Sequence, residues 1–306
     1  MAAPNLSDVL RRPVVVAPMA GGPSTPDLVV AAAGAGTFGF LAGGYKTAAA
    51  LVAEMTAVRA ATSEAFGVNL FVPGAPTGDT EGLARYLGSL GDDARAVGVA
   101  LGGSTWDDDH YDEKLAAVMA DPPAVVSFTF GCPPAEVLDT LTLAGAVVAV
   151  TVTSASEAAV AADAGAHALL VQGSEAGAHR GTFTDSPGPR PDGDGVLDLL
   201  RTVGQVTDVP LLAAGGIMTA RHLAVARRAG AAAMVCGTAF LRCPESGAHP
   251  LYKEALVDPR FPGTVVTRAF SGRRARGLVN DFVRRHADAP SAYPEINNAT
   301  RPLRAA

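Results

Sequence analysis

The chain has 306 residues, of which 48% are hydrophobic, and a formal net charge of −6. Its length and apolar content suffice for one large α/β domain. The acidic balance excludes nucleic acid as the main partner, because phosphate binding needs a basic face.

The N-terminal stretch MAAPNLSDVLRRPVVVAPM lacks the basic-then-apolar order of a signal peptide, and no uncharged apolar run is long enough to span a bilayer. A soluble, cytoplasmic protein with no membrane partner is therefore expected. Cys132, Cys236 and Cys243 are odd in number and widely spaced, which suits a reducing compartment rather than a disulfide framework. Cys236 lies within an apolar run and reads as a small core hydrophobe. No His, Cys or carboxylate spacing resembles a metal site, so no metal is expected.

Short β-branched runs alternate with Ala-rich helical stretches along the chain. Predicted strands are 14–18, 38–42, 66–71, 125–130, 147–152, 168–172, 211–214 and 234–236. Most are apolar on both faces, as parallel strands covered by helices must be. Helices are expected at 155–164 and 220–229, with Ser154 and Thr219 as N-caps and Gly165 and Gly230 as stops. Eight strands with intervening helices predict a (β/α)8 TIM barrel rather than a doubly wound open sheet, folded as one domain over residues 1–306. A ninth apolar run, 96–101, falls in an excursion of about 73–123 after the third strand. That segment is too long for a bare loop, so it should carry helices and is a candidate cover for the barrel mouth. The arginines between Arg268 and Arg285 read as a solvated helix face with ordinary ion pairs.

Barrel chemistry sits at the C-terminal ends of strands. There this sequence offers APMAGG after the first strand, Gly43-Gly44 after the second, Asn69 in the third and QGSEAGAHRG after the sixth. Gly215-Gly216-Ile217 and Gly237-Thr238 follow the last two. Glycines after the final two strands fit a phosphate site of backbone N–H groups. No GxGxxG follows an early strand, so a Rossmann dinucleotide site is not indicated. His179, delivered by a small-residue turn, is placed for proton transfer or for binding an anion. The other histidines read as structural, although His110, with Tyr111, is a candidate to reach over the mouth. Glu175 reads as a helix cap in preference to a partner that orients His179.

The ordered set APMAGG, FGVNLF, QGSEAGAHRGTF, AAGGI and CGTAFL, with TRAFSGRRARGLVNDF and AYPEINNATRPLRAA near the C-terminus, resembles the nitronate monooxygenase (2-nitropropane dioxygenase) family, in its bacterial class I branch. The resemblance spans nearly the whole chain. It implies a barrel holding non-covalent FMN, with Met19, Asn69, Gln172, Gly177, Gly215, Gly216, Gly237 and Thr238 at the cofactor and His179 as the catalytic residue. Tyr111, Tyr252 and Tyr293 are substrate-pocket candidates. The implied reaction oxidises an alkyl nitronate, with propionate 3-nitronate the leading candidate, using O2 and giving a carbonyl compound and nitrite, a detoxification. The partners expected are therefore a small-molecule nitronate and O2, and an oligomer is left open. The main alternative is an NADH-dependent FMN barrel reductase acting on an enoyl thioester or a quinone. A non-catalytic flavin- or phosphate-binding barrel is a third reading. It draws on Ala178, which stands where the family has glycine and which would displace His179 if the backbone there needs a positive φ.

Overall fold

The computed structural model describes residues 5–186 and 193–306. In chain order the elements are α1 (Leu6–Val9), β1 (Val14–Val16), α2 (Pro26–Gly34), β2 (Phe38–Ala42), α3 (Ala48–Ala61) and β3 (Gly67–Phe71). There follow α4 (Thr80–Ser89), α5 (Gly91–Val97), α6 (Tyr111–Ala120), β4 (Val125–Thr129), α7 (Ala135–Leu143), β5 (Val147–Val152), α8 (Ala155–Asp163) and β6 (Ala168–Gln172). The last stretch holds β7 (Ala178–His179), α9 (Val196–Val203), β8 (Leu211–Ala214), α10 (Ala220–Arg228), β9 (Ala233–Cys236), α11 (Pro250–Ala255), β10 (Thr264–Thr267), β11 (Ala275–Leu278), α12 (Asp281–Arg285) and α13 (Glu295–Ala305).

Eight parallel strands close in the order β1-β2-β3-β4-β5-β6-β8-β9. Closure comes from β1 against β9, with Val14, Val15 and Val16 beside Met234, Val235 and Cys236. This is the predicted (β/α)8 barrel, and the closing pair overturns the open-sheet alternative. The two-residue period of a strand explains the continuous apolar runs. On β5, Val147 and Ala149 point into the barrel interior with Phe38, Phe40, Val125 and Leu170. Their neighbours Val148, Val150 and Val152 point outward, against helix residues such as Leu138, Leu141, Leu199 and Leu200. Leu6 of α1 joins the interior cluster.

Local signals behave as their chemistry requires. Ser154 accepts from the Glu157 N–H at the start of α8, and Thr219 accepts from the His222 N–H at the start of α10. Gly165 and Gly230 end those segments at positive φ. Cys236 is buried in β9. No helix among the described residues is long and apolar enough to cross a membrane.

The excursion between β3 and β4 carries α4, α5 and α6. The 96–101 run is the end of α5 followed by coil, not a strand. Gly98 terminates α5 in the left-handed conformation, which breaks the run before it can extend. The excursion is fastened to the C-terminal segment. Gly102 donates its N–H to Ala299 O, Asn298 donates to Asp107, and Arg285 and His286 pair with Asp93. A second sheet, β10-β11-β7, has no counterpart in the sequence reading. It is antiparallel and short, and it joins the loop after β6 to the C-terminal segment.

Leu199 is fully buried between α9 and the strands. Leu199→Ala is expected to lower unfolding stability by about 2–5 kcal/mol through lost burial and a residual cavity. Urea denaturation followed by circular dichroism checks this.

Candidate active site

The loop Gly173–Gly181 leaves β6 and returns as β7, where Ala178 faces Arg276 and His179 faces Ala275 of β11. Ala178 adopts φ +62. The left-handed conformation that a glycine would supply freely is thus kept by an alanine, at a cost of roughly 1–2 kcal/mol. Gln172 holds the loop from within. Its Nε2 donates to His179 O at 3.0 Å and its Oε1 accepts from the Gly181 N–H at 2.8 Å. Arg180, also buried, donates to the carbonyls of Gln172 and Gly173.

The His179 ring sits among Phe130, Tyr293 and Ser271. Its centroid lies 5.7 Å from that of Phe130 and 5.5 Å from that of Tyr293, and Nε2 is 2.8 Å from Ser271 Oγ. Ser271 donates its hydroxyl to Arg273 O at 3.1 Å. With that proton committed, a neutral imidazole donates Nε2–H to Ser271 and keeps its lone pair on Nδ1. Burial, then the charges of Arg273 and Arg304, push the His179 pKa down to about 3, against an opposing pull from Asp185. Part of the side chain stays open to solvent, which moderates the shift, but the imidazole is neutral at neutral pH either way.

Arg273 corrects the expectation of a solvated arginine face. It is 7% exposed, with its guanidinium 4.0 Å above the Phe130 ring and 5.9 Å from the Tyr293 ring centroid. It donates to the carbonyls of Arg180 and Thr182 and forms no ion pair with a carboxylate among the described residues. Arg268 and Arg274 are also withdrawn from solvent, clamped on Asp185 at 3.1 and 2.7 Å. Burial opposes ionisation of Asp185, but hydrogen bonding and charge from Arg268, then Arg273 and Arg274, hold its carboxyl below the usual range. The antiparallel strand β11 turns this stretch inward. Arg284 and Arg285, on α12, do fit the exposed ion-paired reading.

The predicted cofactor residues converge at the mouth. A Cβ on Gly237 would sit 3.6 Å from Met19 Sδ, and one on Gly177 would sit 3.3 Å from Thr238 Oγ1. Gly215 and Gly216 take φ +124 and +64, in the region that favours glycine. Among the described residues, the N–H groups of Gly216, Ile217, Thr238 and Ala239 have no protein acceptor. Thr238 opens a 3-10 turn, Thr238–Phe240. Four free donors and a hydroxyl at the ends of β8 and β9 are the chemistry of a phosphate cradle. Asn69 is buried and spends its Nδ2 on Ser127 and Thr129. Glu175 accepts from the Val196 N–H at 3.0 and 3.2 Å, capping α9, and so takes the cap role rather than orienting His179. Among the described residues no group of His, Cys, Asp or Glu could hold a metal ion.

Of the three predicted substrate tyrosines, only Tyr293 lines the pocket beside His179. Tyr111 begins α6 and packs on the helix layer. Tyr252 lies on α11, 41% exposed. Neither is among the residues that line that pocket. His110 is exposed and pairs with Glu113 instead of reaching over the mouth. His222 and His249 accept from the N–H groups of Met218 and Leu251, the structural roles expected of them. The sequence reading missed Tyr45, Phe130, Ser271 and Arg273. Phe130 ends the predicted strand 125–130, and that position was the available signal; Tyr45, three residues past the predicted strand 38–42, had none. The pocket opening is also lined by Asp107, Asp108 and Asp109 from the excursion.

The family model for nitronate monooxygenase matches residues 3–306. The chain belongs to the nitronate monooxygenase family. It is an oxidoreductase, and its sequence is 37% identical over 306 residues to the nitronate monooxygenase of Pseudomonas aeruginosa, covering 97% of this chain and 86% of that protein. In structure it resembles the nitroalkane oxidase of Streptomyces ansochromogenes, with a TM-score of 0.95 and 46% identity over 98% of this chain and 86% of that one. Likeness to FabK of Thermotoga maritima is weaker, with a TM-score of 0.70 and 27% identity over 91% and 75%.

Because the folded His179 pKa lies below its unfolded value near 6.5, the unfolded state binds the extra proton between pH 6.5 and about 3. His179 therefore lowers stability as pH falls through that window. His179→Asn should show a shallower loss of stability than the parent between pH 6.5 and 4, measured by denaturant titration at each pH.

Proposed function

We propose that this family member is an FMN-dependent nitronate monooxygenase acting on small alkyl nitronates and their parent nitroalkanes. The observation that carries the reading is a neutral His179 with a free Nδ1, set beside the buried cation Arg273 and next to a cradle of four unpaired N–H groups. Gly215, Gly216, Gly237 and Thr238 would hold the FMN phosphate. Met19, Asn69, Gln172 and Gly177 would contact the ring and ribityl chain. When bound, FMN supplies the electron-accepting chemistry, with O2 as the final oxidant.

The protein's part is binding, orientation and the proton. A neutral nitroalkane would lose its α-proton to His179 Nδ1. Arg273 and Arg304 would favour the nitronate anion that results, and that anion would in turn offset their opposition to the imidazolium. A substrate supplied as the nitronate needs no base and would use the cations alone. Asp107 and Asp108, which line the pocket while Asp109 is paired with Lys114, would disfavour a substrate with a second negative charge. The substrate proposed is accordingly smaller and less charged than propionate 3-nitronate.

Two measurements follow. His179→Asn should cut kcat/KM for nitroethane by about 10²–10⁴-fold and for pre-formed ethyl nitronate by much less. An equal loss on both would remove the base role. Propionate 3-nitronate should show a higher KM than ethyl nitronate at low ionic strength, with the gap closing as salt screens the aspartates. A gap indifferent to salt would contradict the acidic filter.

A further inference from the structure

Tyr45 follows Gly43-Gly44 at the end of β2 and takes φ +66, a conformation an aromatic residue adopts only when its surroundings impose it. The imposing group is a buried ion pair. Lys114 of α6 is 1% exposed, and its Nζ donates to Asp109 Oδ2 at 2.6 Å and to Gly43 O at 3.0 Å. Asp109 Oδ1 accepts from the Tyr45 N–H at 2.8 Å. The turn 43–45 is thus fastened at both ends to one lysine–aspartate pair. Gly44 has no room for a side chain, since a Cβ there would meet the Phe71 ring at 2.3 Å. Asp109 and His110 are themselves at positive φ, so the strain is shared by both sides of the clamp.

The clamp delivers the Tyr45 phenol to the pocket that Tyr293 and Phe130 also line. Tyr293 donates its hydroxyl to Tyr45 Oη at 3.1 Å. Burial pushes the Tyr45 pKa up to about 12 and raises that of Tyr293 as well, so both phenols keep their protons at neutral pH. The Tyr293 proton is committed to Tyr45, and the proton of Tyr45 has no protein acceptor among the described residues.

We propose that Tyr45 is a substrate-contacting residue that donates its free hydroxyl proton to an oxygen of the nitro group, and that the Lys114–Asp109 pair is its positioning device. The proposal rests on the nitro-compound reading of the site. Nitro and nitronate oxygens are acceptors only, which suits a donor whose own oxygen is already satisfied. A site built around such a donor discriminates by leaving it unpaired when the acceptor is missing.

The test uses the flavin-loaded full chain, with turnover of nitroethane and binding of propionamide, an uncharged planar isostere, read by calorimetry. Tyr45→Phe should raise KM for nitroethane and weaken propionamide binding about tenfold, with kcat changed less than threefold. Lys114→Met should show the same KM-dominated change, and Lys114→Met combined with Asp109→Asn, which keeps an acceptor for the Tyr45 N–H without a lone buried charge, should recover most of it. Unchanged KM and unchanged propionamide binding in Tyr45→Phe would overturn the proposal, as would a Lys114→Met effect that Tyr45→Phe does not share. A parent enzyme that binds propionamide through Tyr45 yet turns over no nitro compound would instead sink the functional reading and leave the donor role standing.

Discussion

Two backbone pairs, Ala178 with Arg276 and His179 with Ala275, join the β6 loop of the barrel to the C-terminal segment. Much of the site hangs on that junction. It fixes the histidine ring against Ser271, brings Arg273 over Phe130, and places Tyr293 at the rim. Without that junction the loop after β6 would lack its antiparallel partner. With β7 pinned, the loop becomes a wall with a defined imidazole tautomer.

Of the non-glycine residues at positive φ among the described ones, Tyr45, Asp109 and Phe130 line the pocket, Ala178 precedes His179, and His110 adjoins Asp109. Three follow barrel strands β2, β4 and β6, and two belong to the excursion. Backbone strain concentrated in this way is stored where geometry has to be exact against a ligand, and it persists because surrounding contacts over-determine it. Lys114 holds Tyr45, Gln172 holds the 179–181 segment, and Arg273 holds Arg180 and Thr182. Electrostatics adds to this, with Asp107 and Asp108 lining the pocket and Arg273, buried beside His179, in no ion pair with a carboxylate among the described residues. A buried cation lacking a carboxylate is costly in the resting protein and becomes favourable when an anion forms beside it.

The barrel was legible because strand burial on two faces leaves continuous β-branched runs, and because helix caps and stops such as Ser154 and Gly230 act locally. The positive φ of Gly215 and Gly216 was legible for a related reason: paired glycines at a strand end are a backbone requirement written directly in the residues, and the proposed phosphate cradle draws on it. What escaped reading depends on long-range pairing. The run around Arg273 looks like any charged surface helix until β11 pairs with β7 and turns it inward. Tyr45 carries no local mark, since its meaning comes from Lys114, nearly seventy residues later in the chain. Ala178 shows a local rule outvoted, because the ladder with β11 holds an alanine where only a glycine would be expected.

The most direct test of the account is an anaerobic visible spectrum of the flavin-loaded protein before and after addition of ethyl nitronate. The account predicts that the oxidised-flavin absorbance is lost on addition and restored by O2 with release of nitrite. Absorbance indifferent to nitronates but lost on addition of NADH would contradict it and place the catalytic centre among the barrel reductases.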